Sequence, residues 1–185
     1  CSPMTKALLF YHHDDVPYGC FSNFSRHPVK IYGRTWMTSE HPFQAMKFHP
    51  HRPDLVDAVH AAESPGKAAK MARDRSLPLR ADWDQAPSDA ATGTAVEAPR
   101  TEDFVNRGSA AAEPLFSRMK DIVMYEVVLA KFRQNDDAKK ILLGTGDDIL
   151  IEDAEFDPYW GWGASKVGQN KLGRILMSVR SIIRL

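Results

Sequence analysis

The stretch from Leu115 to Phe132 most constrains the fold. Leu115, Phe116, Met119, Ile122, Val123, Val127, Ala130 and Phe132 recur at helical spacing on a segment too apolar to lie at a surface, so it is expected to form the central core helix. A second stripe closes the chain: Leu172, Ile175, Leu176, Val179, Ile182 and Ile183 share one helical face, with Lys171, Arg174, Arg180 and Arg184 off it. Shorter elements precede these. Lys6 to Tyr11 reads as a buried strand entering a turn at His12-His13-Asp14-Asp15, and Val29 to Trp36 alternates around Gly33 as a strand or small hairpin does. Thr38-Ser39 is the expected N-cap of a helix from Glu40 to Phe48, in whose first turn Pro42 is tolerated. Further helices are expected from Asp54 to Ala62, from Ser64-Pro65 to about Arg75, and from Asp136 or Asp137 through Leu143, with Gly144 closing the last. Ile149 to Glu152 reads as a short strand.

Between Ala86 and Pro114 large apolar side chains almost vanish, which predicts an inserted loop, mobile or acting as a lid. The expected architecture is therefore α+β: a helix-dominated single domain over residues 4–185, with a few short strands and this long inserted loop at 86–114. Cys1-Ser2-Pro3 before Met4 reads as a cloning remnant. With 185 residues and 43% hydrophobic content, one core is the natural outcome.

Charge narrows the function classes. Lys plus Arg number 24 and Asp plus Glu number 24, so the chain is formally neutral and lacks the cationic coat that grips long nucleic acid. A nucleic-acid end or a single modified nucleotide remains compatible. Two cysteines, Cys1 and Cys20, exclude a disulfide framework. No run approaches the roughly 18 apolar residues of a membrane helix, so a soluble intracellular protein, cytoplasmic or nuclear and away from membranes, is expected.

Three constellations carry chemical potential. Glu40, Gln44 and Lys47 stand at i, i+4 and i+7, so a carboxylate, an amide and an amine share a helix face over about 10 Å of axis. A solvated Glu/Lys surface produces the same pattern. Asp157-Pro158-Tyr159-Trp160-Gly161-Trp162-Gly163, then Gly168-Gln169-Asn170, joins stacking surfaces to glycines that admit close backbone approach. It also leads to the N-terminus of the last helix, a favourable place for phosphate. A tight turn flanked by core aromatics is the alternative. Gly19-Cys20-Phe21-Ser22-Asn23-Phe24 alternates small donors with aromatic rings, as a ligand loop or an ordinary packed loop does, and Trp83 is either a stacking wall or a cap on the core. His41, His49 and His51 lack a third ligand at motif spacing, so no metal is expected, nor is any cofactor.

Together these pieces resemble the NADAR superfamily, related to enzymes that cleave riboflavin-pathway intermediates at an N-glycosidic bond. The likeness rests on 18-YGCFSNF-24, Gly33 and Trp36, 39-SEHPFQAMKF-48, 80-RADW-83, Lys131-Phe132, 142-LLGTG-146, Ile151-Glu152, 157-DPYWG-161 and 168-GQNKLGRILM-177, in order across nearly the whole chain. It implies a helix-rich α+β fold and hydrolysis of N-glycosides, including removal of ADP-ribose from guanine in DNA or RNA. A small phosphorylated ribosylamino-pyrimidine is the alternative substrate, and a non-catalytic ADP-ribose-binding module the alternative class. A monomer is expected.

On that resemblance, Glu40, Lys47 and Asp157 are the expected catalytic residues. The two acids would stabilise charge at the anomeric carbon and move protons, and Lys47, its pKa lowered by desolvation, would capture a ring-opened imine. Phe21 and Trp160 would wall the sugar or base, and Ser22 and Asn23 would bond ribose hydroxyls. Gly168, Asn170 and the last helix's N-terminus would receive phosphate. Gly19, Phe24, Gln44, Trp83, Tyr159 and Gly161 complete the expected binding set.

Overall fold

The computed structural model describes residues 5–86 and 114–185. The expected remnant at residues 1–3, and the expected insertion apart from its edge residues Ala86 and Pro114, lie outside them. The elements run β1 (Ala7–Phe10), a 3-10 turn (Tyr18–Phe21), β2 (Val29–Ile31), β3 (Arg34–Trp36), α1 (Glu40–Ala45), α2 (Pro53–His60) and α3 (Pro65–Ala72). After the gap come α4 (Met119–Gln134), α5 (Asp136–Gly144), β4 (Ile149–Glu152) and α6 (Lys171–Ile183). The fold is α+β, as the sequence pattern implies.

β2 and β3 form an antiparallel hairpin, whereas β1 and β4 pair in parallel, with Phe10 opposite Glu152. That long-range pairing brings the segment after β1 beside the loop after β4. α4 packs against α6, α5, β2 and α1, and α1 also packs on α2 and α3. The core follows the two stripes: Val127, Phe132, Ile175, Leu176 and Val179 are fully buried.

One expected cap does not form and one expected helix start moves, each for a visible reason. Ser39 is already helical in backbone (φ −67°, ψ −21°) and makes no side-chain cap. The Glu40 amide instead donates to the Asn23 carbonyl at 3.1 Å, and Ser39 Oγ donates to Asn23 Oδ1 at 3.0 Å, so a distant loop caps α1. α4 begins at Met119 rather than Leu115, because Asp121 Oδ2 accepts the Ser117 and Arg118 amides, each at 3.0 Å, and Arg118 is held in extended backbone ahead of the helix. α1 also ends early, at Ala45. The following amides of Lys47 and Phe48 reach back three residues, to Gln44 and Ala45, and tighten the turn. By contrast, Ser64 caps α3 as its position suggests, accepting from the Lys67 amide at 3.2 Å.

Candidate active site

A cleft of about 870 Å³ opens between the segment after β1, α1, α3, the start of α4 and the loop after β4. Glu40, Lys47 and Asp157 all line it, so one helix, the turn that ends it and a loop more than a hundred residues away converge on one space. Lys47 reaches the cleft although it lies in the tightened turn beyond α1.

Burial governs the electrostatics. Glu40 is 6% exposed, and desolvation raises its pKa against the opposing hydrogen bond from Gln44 and the Lys47 charge. Gln44 Nε2 donates to Glu40 Oε1 at 2.6 Å, which fixes the carboxyl in place and leaves Gln44 Oε1 buried without a hydrogen-bond partner among the described residues. Half-buried Lys47 has its pKa lowered by desolvation, partly offset by Glu40, and its ammonium donates to the Ala72 carbonyl at 3.4 Å. Asp157 is oriented by the chain itself: its Oδ1 accepts the Tyr159 and Trp160 amides at 3.0 and 2.9 Å. A desolvated amine with a lowered pKa thus stands in one cleft with a carboxyl group able to take its proton, the pairing an amine nucleophile uses.

Three aromatics build one wall. Phe43 lies 5.3 Å from Trp83 between ring centroids and 5.4 Å edge-on from Trp160. Trp83 is tied to the start of α4: its carbonyl accepts the Lys120 amide at 3.2 Å, and the Gln85 carbonyl accepts that of Met119 at 3.0 Å. Ser22, Asn23, Phe24 and Gln44 also line the cleft. Both ends of the Asn23 amide are committed internally, Nδ2 to Met124 Sδ at 3.1 Å and Oδ1 to Ser39, so its polar atoms hold the site's shape.

Six expected binding residues take structural places instead. Phe21 is 1% exposed, packed on Phe10, Tyr18 and Phe132, and walls nothing. At Gly19 a Cβ would meet the His13 carbonyl oxygen at 2.6 Å, so that glycine seats the 3-10 turn on the preceding loop. Tyr159 donates its hydroxyl to Asp121 Oδ1 at 2.6 Å, away from the cleft lining. Gly161 and Gly168 allow backbone contact: a Cβ would stand 2.6 Å from the Glu152 and Pro158 carbonyl oxygens respectively. Asn170, in the left-handed region at φ 48°, bridges β4 by accepting the Glu152 amide at 3.0 Å and donating to the Leu150 carbonyl at 2.8 Å.

The expected phosphate seat at α6 is also closed. The amides of Asn170, Lys171 and Leu172 donate to the Gly161, Tyr159 and Trp160 carbonyls at 2.9, 3.1 and 3.0 Å. An anion there would have to break these bonds. The cationic groups that do line the cleft include Arg73 and Lys120, and His12 and His13 line it as well.

Sequence reasoning missed several groups. Glu152 lines the cleft with Oε2 buried and without a hydrogen-bond partner among the described residues; its pKa is pushed up to about 8 by burial, with the Asp157 and Glu40 charges adding. The available signal was a carboxylate closing the apolar run Ile149-Leu150-Ile151. Lys131, wholly buried, donates to the Ser22 carbonyl at 2.9 Å and Ser25 Oγ at 2.7 Å, and burial lowers its pKa to about 7. Lys171 and Asp121 form a fully buried ion pair at 3.3 Å beneath Tyr159. Cys20 is buried, which raises its thiol to about 11 and makes it a poor nucleophile. His41 bonds Thr38 and the Ala62 carbonyl within the core, so it is no free ligand.

This fold and cleft place the chain in a defined class: it belongs to the NADAR domain family, matching over residues 9–184. Among its relatives, an N-glycosidase of Nostoc punctiforme is 37% identical, covering 95% of this chain and 92% of that protein. The N-glycosidase YbiA of Escherichia coli is 36% identical, with 96% and 89% covered. The NMR structure of YbiA superposes with a TM-score of 0.71 at 35% identity, over 98% of this chain and 87% of that one. The maize riboflavin biosynthesis protein PYRR is 31% identical over 97% of this chain but only 25% of its own length. These relatives support N-glycosidase activity at a coarse level.

Proposed function

We propose that the chain is an N-glycosidase that releases ADP-ribose from guanine bases of nucleic acid. The observation that carries this reading is the meeting of Glu40, Lys47 and Asp157 around one aromatic-walled cleft. At about 870 Å³ the cleft lies near the top of the roughly 300–1,000 Å³ range of small-molecule sites, which suits a dinucleotide-sized ligand better than a mononucleotide. Arg73 and Lys120 supply positive charge for a pyrophosphate, and His12 and His13 line the same cleft.

The chemistry follows from the groups present. A ribose joined to guanine through an exocyclic amine opens to an imine at its anomeric carbon. Lys47 Nζ, in its neutral form, adds to that carbon, and Glu40 relays the proton it releases to the former imine nitrogen. The guanine amine leaves, the lysine-bound imine remains, and water hydrolyses it to free the sugar and the lysine. Asp157, fixed by two backbone amides, stabilises the positive charge that develops at the same carbon. Trp83, Phe43 and Trp160 offer faces for the base.

A second reading, cleavage of a phosphorylated ribosylamino-pyrimidine, is favoured by the maize relative and a Vibrio vulnificus relative named for riboflavin biosynthesis, 31% identical over 97% of this chain and 39% of its own length. Measuring free ADP-ribose from modified guanine DNA beside ribose phosphate from a riboflavin intermediate separates the two. Neither product, with tight ADP-ribose binding, supports a non-catalytic module instead. Borohydride added during turnover is expected to trap a sugar on Lys47 and nothing in Lys47→Ala; no adduct in the wild type would replace the imine route with direct displacement.

A further inference from the structure

We infer that Glu152 is a further catalytic residue, the acid that delivers a proton to the departing base nitrogen as the bond to the anomeric carbon breaks. This rests on the N-glycosidase reading above and adds the step that reading leaves open. In the balance, the proton of Glu152 Oε2 passes to the guanine nitrogen while the C–N electron pair goes with the base. Glu152 is left as a carboxylate, and the water that hydrolyses the lysine-bound imine returns the proton. The former imine nitrogen needs two protons to leave as an amine: Glu40 relays the first from Lys47, and Glu152 supplies the second.

Geometry carries the assignment. Glu152 Oε2 is a buried oxygen on the cleft wall with no hydrogen-bond partner among the described residues, and leaving such an atom unpaired is unfavourable unless something else meets it there. The backbone around it is held from three sides: its amide by Asn170 Oδ1, its carbonyl by the Trp162 amide at 3.2 Å, and its register by Phe10 across the parallel pair. Gly161 lacks a side chain where one would strike that same carbonyl. The glycines and Asn170 of the following loop therefore hold a carboxyl group at a set place in the cleft. Two further carboxylates face it, Asp157 and Glu40, and their charge together with burial keeps Glu152 protonated up to about pH 8. The other charged or titratable groups lining the cleft are Lys47 after α1, Arg73 just after α3, Asp84, Lys120 of α4, and Tyr11, His12 and His13 after β1. Lys171 of α6, behind β4, is bound to Asp121 and to the Pro114 carbonyl.

The test has two arms on the intact chain. In the first, infrared difference spectra of wild type and Glu152→Gln at pH 7 should show the C=O stretch of a protonated carboxylic acid in the wild type alone, fading as pH rises through about 8. This arm needs no substrate. In the second, an oligonucleotide carrying ADP-ribosylated guanine is cleaved across pH 6 to 10. Wild-type kcat/KM is expected to fall above about pH 8, where Glu152 loses its proton. Glu152→Gln is expected to lose about a hundredfold or more in kcat, with KM little changed and that alkaline limb absent. A variant that keeps wild-type kcat, or a loss confined to KM, overturns the assignment. Should Glu152→Gln fail to fold, the wild-type pH profile decides: a rate flat through pH 9 refutes the proton donor. A wild type that cleaves no N-linked ADP-ribose overturns the N-glycosidase reading, and this inference with it, even where the infrared band is present.

Discussion

The Glu40–Lys47 segment and the Asp157–Lys171 loop look equally suited to a ligand in sequence, yet they do different work. The first turns its polar face into the cleft and keeps groups there short of partners, such as Gln44 Oε1. The second offers Asp157 and Trp160 to the cleft and uses nearly everything else internally, binding its glycines, Asn170 and the first amides of α6 to neighbouring backbone. A helical face is poised for chemistry, and a glycine-rich loop for holding β4, and with it Glu152, against α6. Spacing is therefore a better guide to a site than glycine and aromatic content.

The contrast predicts opposite symptoms on mutation. Glu40→Gln or Lys47→Ala should reduce turnover by about a hundredfold or more while leaving the melting temperature near wild type, the usual scale for one acid–base or nucleophilic group; unchanged turnover removes that residue from the mechanism. In the loop, Gly161→Ala should destabilise by about 1–3 kcal/mol or more, because its new methyl group meets the Glu152 carbonyl at 2.6 Å. Urea denaturation reads this, and a wild-type midpoint would break the comparison. Asn170→Ala removes the partners of the Glu152 amide and the Leu150 carbonyl, with an expected loss of about 1–3 kcal/mol and a rise in KM small beside the stability change. Lys131→Met lies between the two classes. It frees the Ser22 carbonyl and is expected to cost about 1–3 kcal/mol, offset in part because no ammonium need then be buried. The smallest effect falls on Ser39→Ala, about 0.5–1.5 kcal/mol for its bond to Asn23.

Lys131 also makes pH a probe. Its folded pKa, about 7, lies below its ordinary value of 10.5, so between those limits the unfolded chain binds more protons. Its contribution therefore raises stability as pH climbs from about 7 toward 10.5. Glu152 acts in the opposite sense, its folded pKa of about 8 lying above the ordinary 4.5, so its contribution lowers stability between those values. Comparing denaturation midpoints of wild type and Lys131→Met at pH 6 and 9 isolates the first: the variant should lose more relative to wild type at pH 9.

What the sequence made legible was periodic. The α4 and α6 stripes, the α3 cap and the β2–β3 hairpin follow from side-chain spacing and turn residues, and so does the shared face of Glu40 and Gln44. What it hid depends on contacts between distant segments. Nothing local shows that Asn23 caps α1, that β1 pairs in parallel with β4, or that the amides opening α6 are already satisfied by the loop before them. Buried Lys131 and the Lys171–Asp121 pair look like surface charges in sequence and become interior fasteners only through packing. Phe21 shows the same limit from the other side: an aromatic in a loop is ligand wall or core according to what packs over it, and here Phe10 and Phe132 do.

Release of free ADP-ribose from a guanine-modified oligonucleotide, followed with wild type and Glu40→Gln side by side, tests the cleft most directly. We expect stoichiometric release of sugar and unmodified guanine by the wild type and near-silence from the variant at equal binding. Equal release by both proteins, or binding by the wild type with no product at all, would contradict the assignment of this cleft as the place where the carbon–nitrogen bond is broken.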